Sequence, residues 1–294
     1  MTLADVYEKL SVTIIYIIMT IFMIICIYPF YYVVIYSISD PFKAARGILF
    51  LPAGFNLDTY MVILSRTDIY NAFFISVLRA VIGASVVIIC SSFFAYLVCQ
   101  KRLLMRKFQY RMCVISMYFN AGLIPWYLTM KAYGLKDNFL LYILPYAIGP
   151  FFVILIKTYI ESLPVSLEES AKIDGAGHLR VFFSIIFPTS LPVIATVAVF
   201  SSVGHWNYWV DNFFLVNKSY LQTLQMKLYQ YLMEAEAIAQ SSKQTNTLAQ
   251  NMPKLSTQSV KMCTTIIAVL PILCVYPFTQ RYFASGIMLG AIKG

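Results

Sequence analysis

The side chains that carry most enzyme chemistry are scarce in this chain of 294 residues. Its two histidines, His178 and His205, lack metal-ligand spacing, and no His-Glu-x-x-His or Gly-x-Ser-x-Gly motif occurs. The Gly-x-x-x-x-Gly-Lys-Ser/Thr motif is also missing, so the backbone cradle and lysine that hold nucleotide phosphates are not encoded. The sequence therefore predicts a protein without catalytic residues, metal site or cofactor of its own.

The most informative polar stretch runs from Ser166 to Gly177, between long apolar segments. Its first residues, Ser166-Leu-Glu-Glu169, have the spacing of a capping box, which predicts a helix from Leu167 to about Asp174. Gly175 follows at the place where a helix end favours positive φ. Because isolated helices below about 12 residues are marginal in water, packing must hold this one.

The composition of this stretch suits contact with another protein. Small residues would let a partner backbone approach closely, and polar residues would frame the contact. The small residues are Ser170, Ala171, Ala176 and Gly177, and the polar ones are Glu168, Lys172 and His178. The alternative is a plain connection with good local capping, and spacing alone does not separate the two.

The rest of the chain has the composition of a membrane protein, with 60% hydrophobic and 12% charged residues and a mean hydropathy of +0.73. A helix needs about 20 apolar residues to cross a hydrocarbon core of about 30 Å. Six segments qualify, at approximately 11–37, 72–99, 109–130, 138–160, 181–204 and 259–282. The sequence thus predicts one all-α domain over 1–294 with about six transmembrane helices. The polar stretch lies in the connection 161–180, between helices four and five.

Charge in the short connections predicts the orientation of these spans. Five basic residues follow the second span, and such loops favour the cytoplasm; they are Lys101, Arg102, Arg106, Lys107 and Arg111. Both termini and the connection 161–180 are then cytoplasmic, and the connections 40–71 and 206–258 face outward. Within the latter, 238–250 is polar and predicts an exposed, mobile hairpin. The net charge of +9 is read as an insertion signal, with no nucleic-acid partner.

Aromatic and amide side chains near the outer ends of two predicted spans suggest a solute path, because aromatic faces can stack on sugar rings. They are Asn120, Trp126, Tyr127, Trp206, Asn207, Tyr208 and Trp209. The alternative is anchoring at the membrane interface. Arg79, inside the second span, could attract an acidic solute, but we expect its charge to snorkel to the nearby surface.

The stretch Glu169-Ser-Ala-x-x-Asp174-Gly175-Ala176, followed by Ile186-Phe-Pro188-x-x-x-Pro192, resembles the EAA loop of permease subunits in binding-protein-dependent, ATP-driven (ABC) importers. The resemblance extends over nearly the whole chain, and it is closest to the maltose-type G-like permeases of the carbohydrate-uptake branch, in particular their polysaccharide and oligosaccharide type. The further stretches that carry it are Pro29-Phe-Tyr-Tyr, Asn120-Ala-Gly-Leu-Ile-Pro-Trp-Tyr127, Gly204-His-Trp-Asn-Tyr-Trp209, Tyr276-Pro-Phe-Thr-Gln-Arg-Tyr-Phe and Gly286-Ile-Met-Leu-Gly-Ala-Ile-Lys-Gly294.

In that family the EAA loop forms a coupling helix that sits in a cleft of the cytoplasmic ATPase. The resemblance implies this role for Glu168, Glu169, Ser170, Ala171, Asp174, Gly175, Ala176 and Gly177. It also implies that the tail, 285–294, contacts the ATPase through Gly290, Ala291 and Gly294. Ser170 replaces a frequent second alanine of the family, which exchanges one small residue for another.

The resemblance further implies a subunit of the bacterial cytoplasmic membrane. Its partners would be a second permease, an ABC ATPase dimer that binds ATP and Mg, and an extracytoplasmic sugar-binding protein. The solute would be an oligosaccharide or polysaccharide fragment. An importer of peptides or amino acids is the alternative, because the EAA loop is shared across importer branches. An ion-coupled secondary transporter fits less well, since carboxylates are nearly absent from the predicted spans.

Overall fold

The computed structural model describes residues 3–244 and 256–291. These residues are helical apart from their connections and one isolated bridge between Ser39 and Phe55, which confirms the predicted all-α class for the described part of the chain. The helices are α1 Leu3–Ser37, α2 Pro41–Ala44, α3 Asp58–Leu64, α4 Thr67–Cys99, α5 Arg106–Tyr118, α6 Leu123–Ala132, α7 Pro150–Ile160, α8 Ser166–Ile173, α9 His178–Val181, α10 Phe187–Thr189, α11 Leu191–Asn207, α12 Val210–Leu215, α13 Leu224–Gln244 and α14 Thr257–Ala291.

Three helical stretches are long and apolar enough to cross a membrane unbroken, and they are Lys9–Ser37, Thr67–Cys99 and Thr257–Val275. Two further candidates are bent pairs. Phe139–Tyr146 meets Pro150–Ile160 at 47°, and His178–Thr189 meets Leu191–Asn207 at 81°. Both bends lie at prolines, which lack the backbone N–H that a continuous helix needs. The described residues therefore contain three to five candidate spans by length and composition.

The segment 109–130, expected as one span, forms two shorter helices, α5 and α6. Phe119 is extended at φ −103° and ψ 109°, and Gly122 has φ +86°. The side-chain oxygen of Asn120 accepts a hydrogen bond of 2.9 Å from the Gly122 N–H. This asparagine turn offers the backbone a local alternative to the helix, which explains the break.

The connection 206–258 is more ordered than expected, because α12, a 3₁₀ turn at Ser219–Leu221 and α13 occupy much of it. The hairpin expected at 238–250 is helical up to Gln244, and 245–250 lies outside the described residues. At the other end, α14 includes the backbone of Gly290 and Ala291, whereas Gly294 lies outside the described residues.

The chain forms two compact units. The first comprises Met1–Arg66 and Leu228–Leu270, with a small core around Ile35 and Tyr36. The second comprises Thr67–Lys227 and Pro271–Gly294, and it holds the main core. In this core α4 packs on α7 and α11.

The contact between α4 and α11 depends on Gly83. A Cβ atom at Gly83 would lie 2.7–2.8 Å from ring atoms of His205. We therefore expect Gly83→Ala to lower the free energy of unfolding by about 1–3 kcal/mol, as overpacked sites do. Thermal unfolding of the purified chain in detergent would measure the loss.

Gly204→Ala on α11 is the matched control, because a Cβ atom there meets nothing within 4 Å. It should be neutral or slightly stabilising, since alanine favours the helix. Equal unfolding temperatures for the two variants would show that the His205 ring yields without cost.

Candidate functional site

The inner face of α8 is braced against the end of α4. Ala171 is buried in the main core. The Glu168 carboxylate accepts hydrogen bonds from Lys172 Nζ at 2.7 Å and from the Tyr96 hydroxyl at 3.3 Å, and Lys172 Nζ also reaches Gln100 Oε1 at 3.3 Å. Although α8 has only eight residues, these contacts hold it where an isolated helix would fray.

Electrostatics keep the Glu168 brace charged at neutral pH. Partial burial raises the pKa of its carboxyl group, but hydrogen bonds from Lys172, Gln100 and Tyr96 outweigh burial and lower the pKa below its usual value. The ion pair with Lys172 therefore persists under physiological conditions.

The two ends of α8 differ in how well local sequence signals predicted them. The capping box is wrong, because the cap residue is Val165 and no side chain caps the helix; Ser166 is already its first residue. At the other end the positive φ of Gly175 is confirmed at +79°. The Gly175 N–H donates to Lys172 O, and the Ala176 N–H donates to Ala171 O. These two bonds form a Schellman motif, which satisfies the last carbonyl groups.

The outer face of α8 carries residues with solvent-exposed side chains, and Glu169, Ser170, Ile173 and Asp174 are among them. Gly175 and Gly177 continue this exposed surface, whereas Ala176 is half-buried. Ile173 is the residue that the sequence reasoning missed, and it is 85% exposed. Helical periodicity could have predicted this exposure, because Ile173 lies two positions, or about 200°, around the helix from the buried Ala171.

A second polar centre lies inside the main unit, where Arg79 and Asp211 form a buried ion pair. Their side chains are 1% and 0% exposed. Arg79 Nη2 donates to Asp211 Oδ2 at 2.6 Å, and Nη1 donates to Asp211 Oδ1 at 3.1 Å and to the Tyr208 carbonyl at 2.7 Å. The expected snorkelling of Arg79 is therefore wrong, because a bidentate carboxylate compensates its charge within the protein.

The ion pair belongs to a wider hydrogen-bonded network. Asn212 Nδ2 donates to the Tyr142 hydroxyl at 2.6 Å, and that hydroxyl donates to the Leu221 carbonyl at 2.8 Å. Ser76 Oγ accepts a hydrogen bond of 2.8 Å from the Leu224 N–H. These bonds join α4 to the first residue of α13, and they join α12 through Tyr142 to the segment before α13. Asp211 therefore holds a structural position here and is already neutralised by Arg79.

The residues expected along a solute path lie in different surroundings. Trp206 packs edge-to-face on Phe73 at 5.9 Å in an apolar groove, and Trp209 packs on Phe213 at 5.8 Å. Tyr127 packs on a core cluster, with Trp126 beside it. Asn207 Oδ1 accepts a hydrogen bond from Gln225 at 3.3 Å, and Asn120 holds the turn between α5 and α6.

Long apolar helices, two bent helix pairs and a short helix braced at the surface are features of an integral membrane protein. The chain belongs to the family described as binding-protein-dependent transport system inner membrane component, whose model matches residues 3–289. It is therefore a permease subunit of an ABC transporter, and as such it is non-catalytic.

Among curated proteins, the chain is similar to the polygalacturonan/rhamnogalacturonan transport system permease protein YtcP of Bacillus subtilis (strain 168). The two are 35% identical over 274 residues, which cover 93% of this chain and 94% of that protein. Protein LplC of the same organism is 36% identical over 271 residues, covering 92% and 90%.

A solved structure of a bacterial ABC transporter involved in the import of the acidic polysaccharide alginate contains a chain of the same fold. The TM-score is 0.80 at 24% identity, and the match covers 96% of this chain and 99% of that chain. At this identity the likeness supports the fold alone.

Proposed function

We propose that this permease imports oligosaccharide or polysaccharide fragments. The observation that carries the proposal is the 35% identity, over 93% of the chain, to a permease named for polygalacturonan and rhamnogalacturonan transport. Melibiose, raffinose and stachyose appear in the name of a further relative that is 25% identical over 90% of the chain. These names favour a sugar over peptides or amino acids as the solute.

The complete transporter would contain a second permease, an ABC ATPase dimer and an extracytoplasmic sugar-binding protein. ATP and Mg would bind to the ATPase. We propose six transmembrane helices with both termini in the cytoplasm, which places α8 on the ATPase side. Asn120, Tyr127, Trp206, Asn207 and Trp209 remain proposed contacts of the solute path.

In this arrangement α8 couples the ATPase to the membrane helices. Glu169, Ser170, Ile173 and Asp174 would enter a cleft of the ATPase, and Gly290, Ala291 and Gly294 would add contacts from the tail. The braces from Glu168 and Lys172 tie α8 to the end of α4. Movement of the ATPase would therefore pull on α4 as a lever, and α4 would pass the change to the α7 and α11 packing.

The exposed isoleucine on α8 provides the sharpest test of this docking. We expect Ile173→Glu to weaken ATPase binding by about 2 kcal/mol or more, roughly thirtyfold, as loss of an interface hot spot does. The stability of the chain should change by less than about 0.5 kcal/mol, because the side chain is exposed. Co-purification of the ATPase from mild detergent would measure the first quantity, and thermal unfolding the second.

Leu51→Glu is the matched control, since Leu51 is also an exposed apolar residue, at 77%, but lies in the connection proposed to face outward. It should retain the ATPase. Full ATPase recovery with Ile173→Glu would exclude α8 as the main docking element.

The solute proposal is tested with the complete transporter in proteoliposomes. Saturable, ATP-dependent uptake of trigalacturonate or of a neutral trisaccharide is expected, and di- and tripeptides should not compete. Uptake of peptides without uptake of either sugar would reject the sugar proposal and would favour the alternative branch.

A further inference from the structure

A cavity of about 390 Å³ lies between α4, α11 and the bent segment that leads into α7. We name it the Tyr146 groove and define it by Arg79, Tyr146, Phe152, Ser201, His205 and Tyr208, which are among its lining residues. Its volume falls within the range of about 300–1,000 Å³ that is usual for small-molecule sites. Mostly apolar walls with a few polar groups are also typical of such sites.

Three buried polar atoms in the residues lining the groove have no hydrogen-bond partner, namely Arg79 Nε, the Tyr146 hydroxyl and Ser201 Oγ. The side chains of Arg79 and Ser201 are more than nine-tenths buried. A buried donor without a partner carries a desolvation penalty that a ligand oxygen can remove. The Tyr208 ring centroid lies 5.7 Å from the Arg79 guanidinium carbon.

The charge of the groove favours a hydroxyl group over a carboxylate as the ligand. Arg79 is the only cation among the lining residues whose charge is permanent, and Asp211 already neutralises it through two hydrogen bonds. The remaining Nε donor can serve one neutral oxygen. Ser201 Oγ can both donate to and accept from a second hydroxyl.

The aromatic residues of the groove are arranged edge to face. The Tyr146 and Tyr208 ring centroids are 5.6 Å apart at 68°, and those of Tyr146 and His205 are 5.9 Å apart at 89°. In an edge-to-face pair one ring presents only its edge to the other, so the pair does not use the faces of that ring and they can take an apolar surface. The C–H face of a pyranose ring is such a surface, and its hydroxyl groups point to the rim.

We propose that the Tyr146 groove is a solute subsite that binds one pyranose ring through its hydroxyl groups and one ring face. Tyr208 provides the stacking surface, and Arg79 Nε and Ser201 Oγ bind neighbouring hydroxyls. The subsite recognises the sugar ring independently of any carboxylate. This inference rests on the proposed sugar import and adds to it a specificity-determining site in this subunit.

The test measures equilibrium binding of radiolabelled trigalacturonate to the purified complex of both permeases and the ATPase, without the binding protein. Tyr208→Leu should raise the Kd about tenfold, and Tyr208→Phe should leave it within about twofold, because only leucine removes the ring. Ser201→Ala should raise it about fivefold through one lost hydrogen bond. The control is Ser85→Ala on α4, whose exposed side chain donates to the Val81 carbonyl and lies outside the groove.

Carboxyl-reduced trigalacturonate separates recognition of the sugar ring from recognition of its carboxylate. The subsite predicts that the Kd of the reduced trimer for the wild-type complex lies within about threefold of that of the acidic trimer. The reason is that the proposed contacts are hydrogen bonds to hydroxyl groups, so reduction of the carboxylates removes no ion pair. Binding of the acidic trimer alone, or equal Kd values for all variants, would overturn the subsite.

Further results would show whether the groove binds sugar or the second permease, and whether the transporter imports sugar. In one outcome, Tyr208→Leu releases the second permease from the complex and Ser201→Ala has no effect on sugar binding. This outcome would assign the groove to the contact between the two permeases and overturn the subsite. If the wild-type complex imports trigalacturonate in proteoliposomes but shows no saturable binding, the subsite alone fails. If the complete transporter imports neither trimer, the proposed function fails and the subsite falls with it.

Discussion

Replacing Asp211 with alanine is expected to lower the free energy of unfolding by about 3–5 kcal/mol, the usual cost of leaving a buried charge unpaired. Arg79 would lose both oxygens of its carboxylate partner and keep only the Tyr208 carbonyl, in a site where its side chain is only 1% exposed. Asn212 would lose the acceptor of its backbone N–H at the same time. Thermal unfolding of the purified chain in detergent measures the loss, and we expect poor yield of the folded protein.

Two comparisons separate the buried charge from other effects of this substitution. The double variant Arg79→Met with Asp211→Leu should be more stable than Asp211→Ala, because it removes the charge together with its partner. Glu234→Ala removes one member of the exposed Arg66–Glu234 pair, whose side chains are 46% and 56% exposed, and should cost less than about 1 kcal/mol. An Asp211→Ala protein as stable as wild type would mean that water or another group solvates Arg79.

The ion pair also shows where sequence reasoning stopped. Arg79 was recognisable as a charge inside an apolar helix, yet its partner is 132 positions away, in a connection that was expected to face solvent. No local spacing rule joins two residues at that separation. The fold supplies the contact, because α12 turns inward as part of the main unit rather than forming a loop.

Local signals succeeded where a short segment determines its own structure. Gly175 ends α8 as expected, because the conformation depends on the last turn and the absence of a Cβ atom. The break at Asn120–Gly122 was also encoded locally by the asparagine turn, but the apolar character of 109–130 as a whole concealed it. Ser166 had capping spacing, but Val165 is the cap residue and Ser166 begins the helix without a side-chain cap. Periodicity thus predicts elements well, while tertiary packing decides which polar groups meet.

Gly175→Val is expected to abolish coupled transport, with uptake reduced more than tenfold, while membrane insertion stays intact. Gly175 has φ +79°, and a Cβ atom there meets nothing within 4 Å. The cost is therefore backbone strain, about 1–2 kcal/mol for an ordinary residue in the left-handed region and more for a β-branched one. Relief of that strain would break the bonds to Lys172 and Ala171 that end α8. Uptake and solute-stimulated ATP hydrolysis in proteoliposomes measure the result.

A graded series separates backbone strain from partner contact at this helix end. Gly175→Asn should keep much of the activity, because asparagine tolerates positive φ. Gly177→Val is the matched control, since Gly177 has φ −70° and ψ 162°, a conformation open to valine, and a Cβ atom there also meets nothing within 4 Å. If Gly177→Val fails as badly as Gly175→Val, close approach of the ATPase explains both losses. Normal uptake by Gly175→Val would contradict the proposal that α8 passes movement of the ATPase to α4 as a rigid helix, because transport would then not need the rigid end of α8.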